Sequence, residues 1–179
     1  MKSLHIVGRK KSGKTSLVVR LLPLLRARGL RVGTVKHSAH PHSLDREGSD
    51  SWRHREAGAE VTIGVTAAAV SIHLPLPEDP AGLEALIARE TGGLDLLLIE
   101  GWAERGGPRI EVLPADAHGL PRPALHGETG ELLAVVCGPE VRREPEPDAA
   151  SRWFRWEDAE AVADFVTRWT RDAPPVRER

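Results

Sequence analysis

Short apolar runs alternate with amphipathic stretches from the beginning of the chain. The run Leu4 to Val7 is apolar and ends at Gly8, which predicts a β-strand followed by a turn. From Lys14 to Arg28 apolar residues recur at spacings of three and four, which predicts a helix with one buried stripe. Gly29 supplies a stop for that helix, and a second apolar run, Val32 to Val35, predicts another strand. The order strand, helix, strand is typical of a parallel sheet.

The rest of the chain continues this pattern with shorter elements. Residues 36–50 are polar and show no sustained periodicity, so we expect a loop that carries function. Further strands are predicted over Val61–Val65, Ala68–Leu74, Leu94–Ile99, Ile110–Leu113 and Leu132–Cys137, and helices over Ser51–Ala57, Ala81–Glu90 and Glu157–Thr170. The last helix is apolar on one face, and we expect the tryptophans near it to pack into the core.

Composition narrows the class of protein. A length of 179 residues favours one compact domain, which we predict over residues 1–172, with a frayed tail over 173–179. The 25 Lys and Arg residues balance 26 Asp and Glu residues, which argues against a protein that coats nucleic acid. The apolar runs are too short to span a membrane and the amino terminus lacks a secretory signal, so we expect a cytoplasmic protein. A single cysteine, Cys137, excludes an internal disulfide.

A phosphate-binding loop pattern lies between the first predicted strand and the first predicted helix. The pattern GxxxxGK[ST] is matched by Gly8, Arg9, Lys10, Lys11, Ser12, Gly13, Lys14 and Thr15. The glycines let the backbone approach phosphate oxygens, and the loop amides with the helix amino terminus form an anion site. Lys14 can reach the terminal phosphates, which makes it the candidate catalytic residue, and the Thr15 hydroxyl can bind Mg²⁺. The pattern predicts a P-loop NTPase-like, three-layer α/β fold with a mainly parallel sheet flanked by helices.

A nucleotide site of this kind also needs a carboxylate for Mg²⁺. The most apolar run starts after Asp95 and ends in Glu100, and we choose Glu100 because ligands collect at the carboxyl ends of parallel strands. Asp45 and Asp50 lie in the polar loop after the second strand, on the same expected edge, and either could approach the ion directly or through water. Of these two, Asp45 is preferred.

Three histidines, His37, His40 and His42, suggest a transition-metal site. Three ligands from one short loop rarely give good zinc geometry, and no second cluster completes the set. We therefore interpret this loop as a substrate or phosphate contact, with His37 beside Lys36 the best candidate.

Further sequence blocks follow the phosphate loop, namely Thr34–His37, Asp45–Ser51 with Arg53, Ala57–Ala59 and Leu98–Trp102. In this order the blocks resemble the MobB family of molybdopterin-guanine dinucleotide biosynthesis proteins, and the resemblance covers residues 3 to 113. It implies a GTP-binding P-loop protein, usually dimeric, that assists the nucleotidyltransferase MobA in joining GMP to molybdopterin. It also implies at most slow GTP hydrolysis.

The resemblance also implies roles for individual residues. Gly8 to Ser16 would hold the phosphates of GTP, His37 would lie near the nucleotide, and Mg²⁺ would be surrounded by Thr15, Asp45 and Glu100. The Asn-Lys-x-Asp pattern with which many GTPases recognise guanine is absent, so the preference for GTP follows from the resemblance alone. Arg9, Lys10 and Lys11 make the loop more basic than is common in the family.

Two other functions stay open from the residues themselves. A small-molecule kinase would use the same loop to transfer phosphate to an acceptor. An interaction protein that needs no nucleotide is suggested only by the tryptophans near the carboxyl terminus. No water-orienting base is visible in the sequence, which favours slow turnover of the nucleotide.

Overall fold

A computed structural model describes residues 1–38, 44–114, 130–141 and 152–172. The chain divides into two compact units, one formed by Met1–Ser38 with Thr91–Arg179 and the other by Ala39–Glu90. The single domain over residues 1–172 therefore stays a prediction, and the tail 173–179 lies outside the described residues. No helix in these described ranges is long and apolar enough to cross a membrane.

The elements follow one another in the order expected from the sequence. In chain order they are β1 (Lys2–Val7), α1 (Lys14–Ala27), β2 (Val32–Lys36), α2 (Asp50–Glu56), β3 (Thr62–Val65), β4 (Val70–His73), α3 (Pro80–Glu90), β5 (Leu96–Glu100), a 3-10 turn (Ala103–Arg105), β6 (Arg109–Leu113), β7 (Leu132–Cys137), β8 (Arg152–Phe154) and α4 (Ala159–Asp172).

The first unit contains a six-stranded sheet in the order β2-β5-β1-β6-β7-β8. Every neighbouring pair of these strands runs parallel. The carboxyl ends of the strands therefore meet at one edge, where ligands of open α/β sheets collect. β1 lies inside the sheet, so the turn that follows it opens at the middle of this edge. The predicted α/β fold with a mainly parallel sheet flanked by helices is confirmed.

Helices α1 and α4 pack together against this sheet. Leu17, Leu21 and Leu25 form the buried stripe of α1, and Val162 and Val166 belong to the buried face of α4; all five are fully buried. Burial of each such side chain contributes about 1.5 to 3 kcal/mol. The packed pair fixes the amino end of α1 beside the end of β1. The expectation for the terminal tryptophans is confirmed for Trp156 and Trp169, which pack against this core.

The second unit contains α2, α3 and the antiparallel hairpin β3-β4. Ser49 caps α2 by accepting a hydrogen bond from the amide of Trp52 at 3.2 Å. In the hairpin Ile63 pairs with Ile72 and Val65 with Val70, so these apolar residues share one face. Their exposed fractions range from 48% to 73%, which leaves this face of the hairpin open to solvent.

Two elements were missed by the sequence pattern. β8 has only three residues, and its pairing with β7, not its own composition, makes it a strand. The 3-10 turn after β5 follows Trp102, which has a left-handed backbone with φ 61°. This conformation is uncommon for a large side chain, so the sequence did not predict it. Strand β5 also starts two residues later than predicted, because the amides of Asp95 and Leu96 both donate to the Arg31 carbonyl.

Candidate nucleotide-binding site

Residues 8–15, which link β1 to the first turn of α1, form a loop that we call the cradle. Two of its positions favour glycine. Gly8 has φ 141°, and a Cβ there would lie 2.4 Å from the Val112 carbonyl oxygen. Gly13 has φ 102°, and a Cβ there would lie 3.0 Å from the Trp156 ring. A larger residue at Gly8 would collide with the Val112 carbonyl, and one at Gly13 would crowd the Trp156 ring. At both positions the positive φ would strain a residue other than glycine. Two positions that the phosphate-loop pattern reserves for glycine therefore have a backbone that favours glycine.

The cradle offers unused hydrogen-bond donors at the amino terminus of α1. Gly13 is the N-cap residue and provides no side-chain cap, and the first turn of the helix carries no acidic residue. The first amides of a helix have no partner within the helix, and the helix dipole makes this end positive. Within the described residues, the Ser12 hydroxyl is buried and has no hydrogen-bond partner. This donor set fits a phosphate group.

Lys14 lies against the backbone of the cradle. Its ammonium donates hydrogen bonds to the carbonyl oxygens of Gly8 at 2.8 Å and of Arg9 at 2.7 Å. Burial, and then the nearby charge of Lys36, lower the pKa of Lys14, whereas Glu100 acts in the opposite direction. A cation that is desolvated in this way is ready to exchange its carbonyl partners for an anion.

Glu100 ends β5 beside the cradle and is 7% exposed. Its Oε1 accepts a hydrogen bond from the Thr15 hydroxyl at 2.6 Å and a second one from the ammonium of Lys36. A hydroxyl and a carboxylate are the hard oxygen ligands that Mg²⁺ prefers, together with water and substrate phosphates. In residues 1–38, 44–114, 130–141 and 152–172, no cluster of three or more His, Cys, Asp or Glu could hold a metal by itself. The donors fit an ion shared with a nucleotide.

Asp95, the alternative carboxylate, lies at the opposite edge of the sheet. It precedes β5, and its Oδ2 accepts a hydrogen bond from the Arg31 amide at 2.7 Å. That bond lowers the pKa of Asp95 and outweighs burial, which acts in the opposite direction, so the pKa lies below its ordinary value. The structure therefore separates Asp95 from the cradle and brings Glu100 to it.

His37 follows β2 directly and lies next to the end of β5. Its amide donates to the Glu100 carbonyl at 3.0 Å. Its ring stacks on Trp102 with centroids 4.8 Å apart and planes 8° apart, and the Arg105 guanidinium lies 4.7 Å from the Trp102 ring centroid. The sequence drew attention to His37 but gave no sign of this stack, because it depends on the 3-10 turn after β5.

Asp45 belongs to the second unit, and its role toward Mg²⁺ stays a prediction. Its Oδ1 accepts hydrogen bonds from the Arg46 amide and the Ser49 hydroxyl, while Arg55 and His73 lie 3.7 and 3.8 Å from its Oδ2. Burial raises the pKa of Asp45, but hydrogen bonds from the neighbouring serines and the amide outweigh burial and lower it overall.

The remaining candidates are placed in three ways. Arg9, Lys10 and Lys11 are exposed around the cradle, and so is Ser16 in the first turn of α1. Asp50 is exposed and forms an ion pair with Arg53 at 3.9 Å on its own helix. His40 and His42 lie outside the described residues.

Sequence and structure comparisons agree on one family. The family model for "Molybdopterin guanine dinucleotide synthesis protein B" (MobB) matches residues 3–138. The chain is 34% identical over 160 residues to the molybdopterin-guanine dinucleotide biosynthesis adapter protein of Escherichia coli, covering 88% of this chain and 87% of that protein. It is 40% identical over 108 residues to the Haemophilus influenzae adapter protein, covering 60% of each.

A solved structure shows the same fold. The crystal structure of Bacillus subtilis MobB aligns with a TM-score of 0.72 at 25% identity, covering 97% of this chain and all of the other. The family match spans the cradle, Lys36, His37 and Glu100, which are the residues that the fold brings together at the carboxyl edge of the sheet. The chain belongs to the MobB family.

Proposed function

We propose that this chain is a GTP-binding adapter protein in the biosynthesis of molybdopterin guanine dinucleotide. It would assist MobA, the nucleotidyltransferase that joins GMP to molybdopterin, in the cytoplasm where GTP is available. The observation that carries the nucleotide part is the hydrogen bond of 2.6 Å between Thr15 of the cradle and Glu100 of β5. The family membership and the adapter role named for the Escherichia coli relative support the biosynthetic part.

In this proposal each residue of the cradle binds or orients the nucleotide. The amides of the loop and of the first helical turn donate hydrogen bonds to the phosphates, and Lys14 offsets their charge. Thr15 and Glu100 would hold a Mg²⁺ ion, which supplies charge neutralisation between the terminal phosphates when bound. As the resemblance to the MobB family implies, we propose that GTP hydrolysis by the isolated protein is slow.

The hairpin of the second unit supports the further proposal of a homodimer. Its open face carries two aliphatic cross-strand pairs, Ile63 with Ile72 and Val65 with Val70, and Val61 and Leu74 extend the face at 49% and 43% exposed. Exposed aliphatic pairs on a two-stranded sheet are typical of an interaction surface. A second copy offers the same face, which is what a two-fold interface requires.

A nucleotide-binding panel tests the nucleotide part. Calorimetric titrations with GTP, ATP and GDP, each with and without Mg²⁺, should show Mg²⁺-dependent binding and a preference for guanine. The variant Glu100→Gln keeps the shape of the side chain and removes its charge, so it should weaken binding in Mg²⁺ and change binding in EDTA much less. Equal affinity for ATP and GTP would contradict the guanine preference.

A reconstituted MobA reaction tests the adapter part. Addition of the chain should raise the yield of molybdopterin guanine dinucleotide, and Lys14→Ala should abolish the increase. A MobA reaction that is indifferent to the chain would contradict the adapter role. Phosphate transfer from GTP to an added acceptor, instead of release of inorganic phosphate, would favour a kinase.

A further inference from the structure

Lys36 makes a contact that the phosphate-loop pattern does not explain. It ends β2, and in the parallel register it is the direct partner of Glu100 at the end of β5. Its ammonium forms an ion pair with Oε1 of Glu100. This oxygen is the same one that accepts the Thr15 hydrogen bond. One carboxylate oxygen therefore serves the cradle and a lysine from the neighbouring strand.

The two side chains of this pair differ in their freedom. The Glu100 side chain is 9% exposed, whereas the Lys36 side chain is 51% exposed. A buried carboxylate without a cation would be strongly disfavoured, so Lys36 stabilises Glu100 when no other cation is present. Once another cation binds Glu100, a lysine on a flexible four-carbon stem can move into solvent at little cost. The carboxylate is fixed and the ammonium can leave.

The ammonium of Lys36 contacts the Glu100 oxygen that a metal ion would need as a ligand. A Mg²⁺ ion bound to Thr15 and Glu100 would take the lone pairs of Oε1 that Lys36 uses, and the two cations would repel each other at this distance. The ammonium and the ion are therefore alternatives at Oε1. Lys14 does not share this conflict, since its partners are the carbonyls of Gly8 and Arg9.

We propose that Lys36 is a tethered cation that stands in for Mg²⁺ on Glu100 in the nucleotide-free protein and is displaced when Mg²⁺ enters with the nucleotide. This inference rests on the proposed nucleotide site and adds a positioning residue that sets its Mg²⁺ requirement. The displaced side chain of Lys36 remains near the cradle, because the backbone of Lys36 is held at the end of β2. In the absence of Mg²⁺ it neutralises Glu100, so that phosphates can still approach the cradle.

The test is the Mg²⁺ dependence of GDP binding, followed with a fluorescent GDP analogue in wild type and Lys36→Met. GDP is chosen because it lacks the γ-phosphate that a displaced lysine could contact. Removal of the competing ammonium should lower the Mg²⁺ concentration at half-saturation by about tenfold, the order expected for loss of one charge-assisted contact. In EDTA the same variant should bind GDP several-fold more weakly, because Glu100 then loses its ion pair with Lys36 and no Mg²⁺ replaces it.

The chain offers a matched control at the other end of the same two strands. Arg31 precedes β2 and pairs with Asp95, which precedes β5, with Nε and Oδ2 3.7 Å apart. Arg31→Met removes the same charge and should leave the Mg²⁺ midpoint unchanged. Lys36→Arg keeps a cation and should stay near wild type, whereas Lys36→Gln should reproduce the shift seen with methionine.

The outcomes separate this inference from the proposed function. If wild type binds GDP in a manner that depends on Lys14, but Lys36→Met and Lys36→Gln leave the Mg²⁺ midpoint unchanged or raise it, the tethered-cation role is wrong and the nucleotide site stands. If wild type binds no guanine nucleotide at any Mg²⁺ concentration, the site and the inference are both wrong.

Discussion

Replacement of Lys14 by methionine separates a binding role from a structural role. Methionine keeps an unbranched side chain of similar length and removes the ammonium. In the part of the chain that the structure describes, that ammonium donates hydrogen bonds to the carbonyls of Gly8 and Arg9. Because burial lowers the pKa of Lys14, its positive charge is less favourable in the folded protein than in the unfolded chain. The free energy of unfolding should therefore change by less than about 1 kcal/mol.

The effect on GTP affinity should be much larger. Charge-assisted hydrogen bonds contribute about 1.5 to 3 kcal/mol each, and Lys14 must give up its two carbonyl partners to reach the phosphates. A net loss of about 2 to 3 kcal/mol corresponds to an increase of about 30- to 150-fold in the Kd for GTP with Mg²⁺. The loss comes with an intact fold, which distinguishes it from misfolding.

Calorimetric titration of GTP and urea unfolding measure the two quantities on the same preparation. Lys10→Met is the matched control, because Lys10 is exposed in the same loop and should cost no more than about fivefold in affinity. A Lys14→Met protein that binds GTP within threefold of wild type would refute the reasoning. So would an affinity loss that accompanies a fall of several kcal/mol in stability.

Three further changes test other parts of the structure. Gly13→Ala places a Cβ 3.0 Å from the Trp156 ring at φ 102°, so urea unfolding should show a loss of about 1 to 3 kcal/mol; a change below about 0.5 kcal/mol would contradict the steric argument. Burial and then the charge of Arg105 lower the pKa of His5 in the folded protein from its ordinary value of 6.5. Below about pH 6.5 the unfolded chain therefore binds more protons at His5 than the folded protein does. Stability should then fall as pH decreases below about 6.5, by up to about 1.4 kcal/mol per pH unit, and His5→Gln should flatten this dependence, whereas parallel curves would exclude His5 as its source. Val65→Asp on the open hairpin face, where Val65 is 73% exposed, should convert the proposed dimer to monomer in sedimentation; an unchanged mass would place the interface elsewhere.

The sequence predicted the parts of the site that depend on local pattern. The cradle is local, because its glycines, Lys14 and Thr15 lie within eight consecutive positions between a strand and a helix. Glu100 followed from a general rule, since it ends the most apolar run and parallel strands gather ligands at their carboxyl ends. Both deductions needed only the order of elements along the chain.

The parts that the sequence missed depend on register and backbone conformation. The contact of Lys36 with Glu100 requires that β2 and β5 are neighbours with those two residues paired, although they are far apart in sequence. The stack of His37 on Trp102 requires the left-handed backbone of Trp102, which is rare for a large side chain. Neither feature leaves a periodic signal in the sequence.

The most direct measurement is a crystal structure of the protein with Mg²⁺ and a non-hydrolysable GTP analogue. The account predicts β- and γ-phosphate oxygens at about 3 Å from the Lys14 ammonium and from amides at the start of α1, with the metal ion bound by Thr15 and Glu100 and the Lys36 ammonium moved away from Oε1. A cradle without phosphate density at saturating analogue, or phosphates bound at another edge of the sheet, would contradict it.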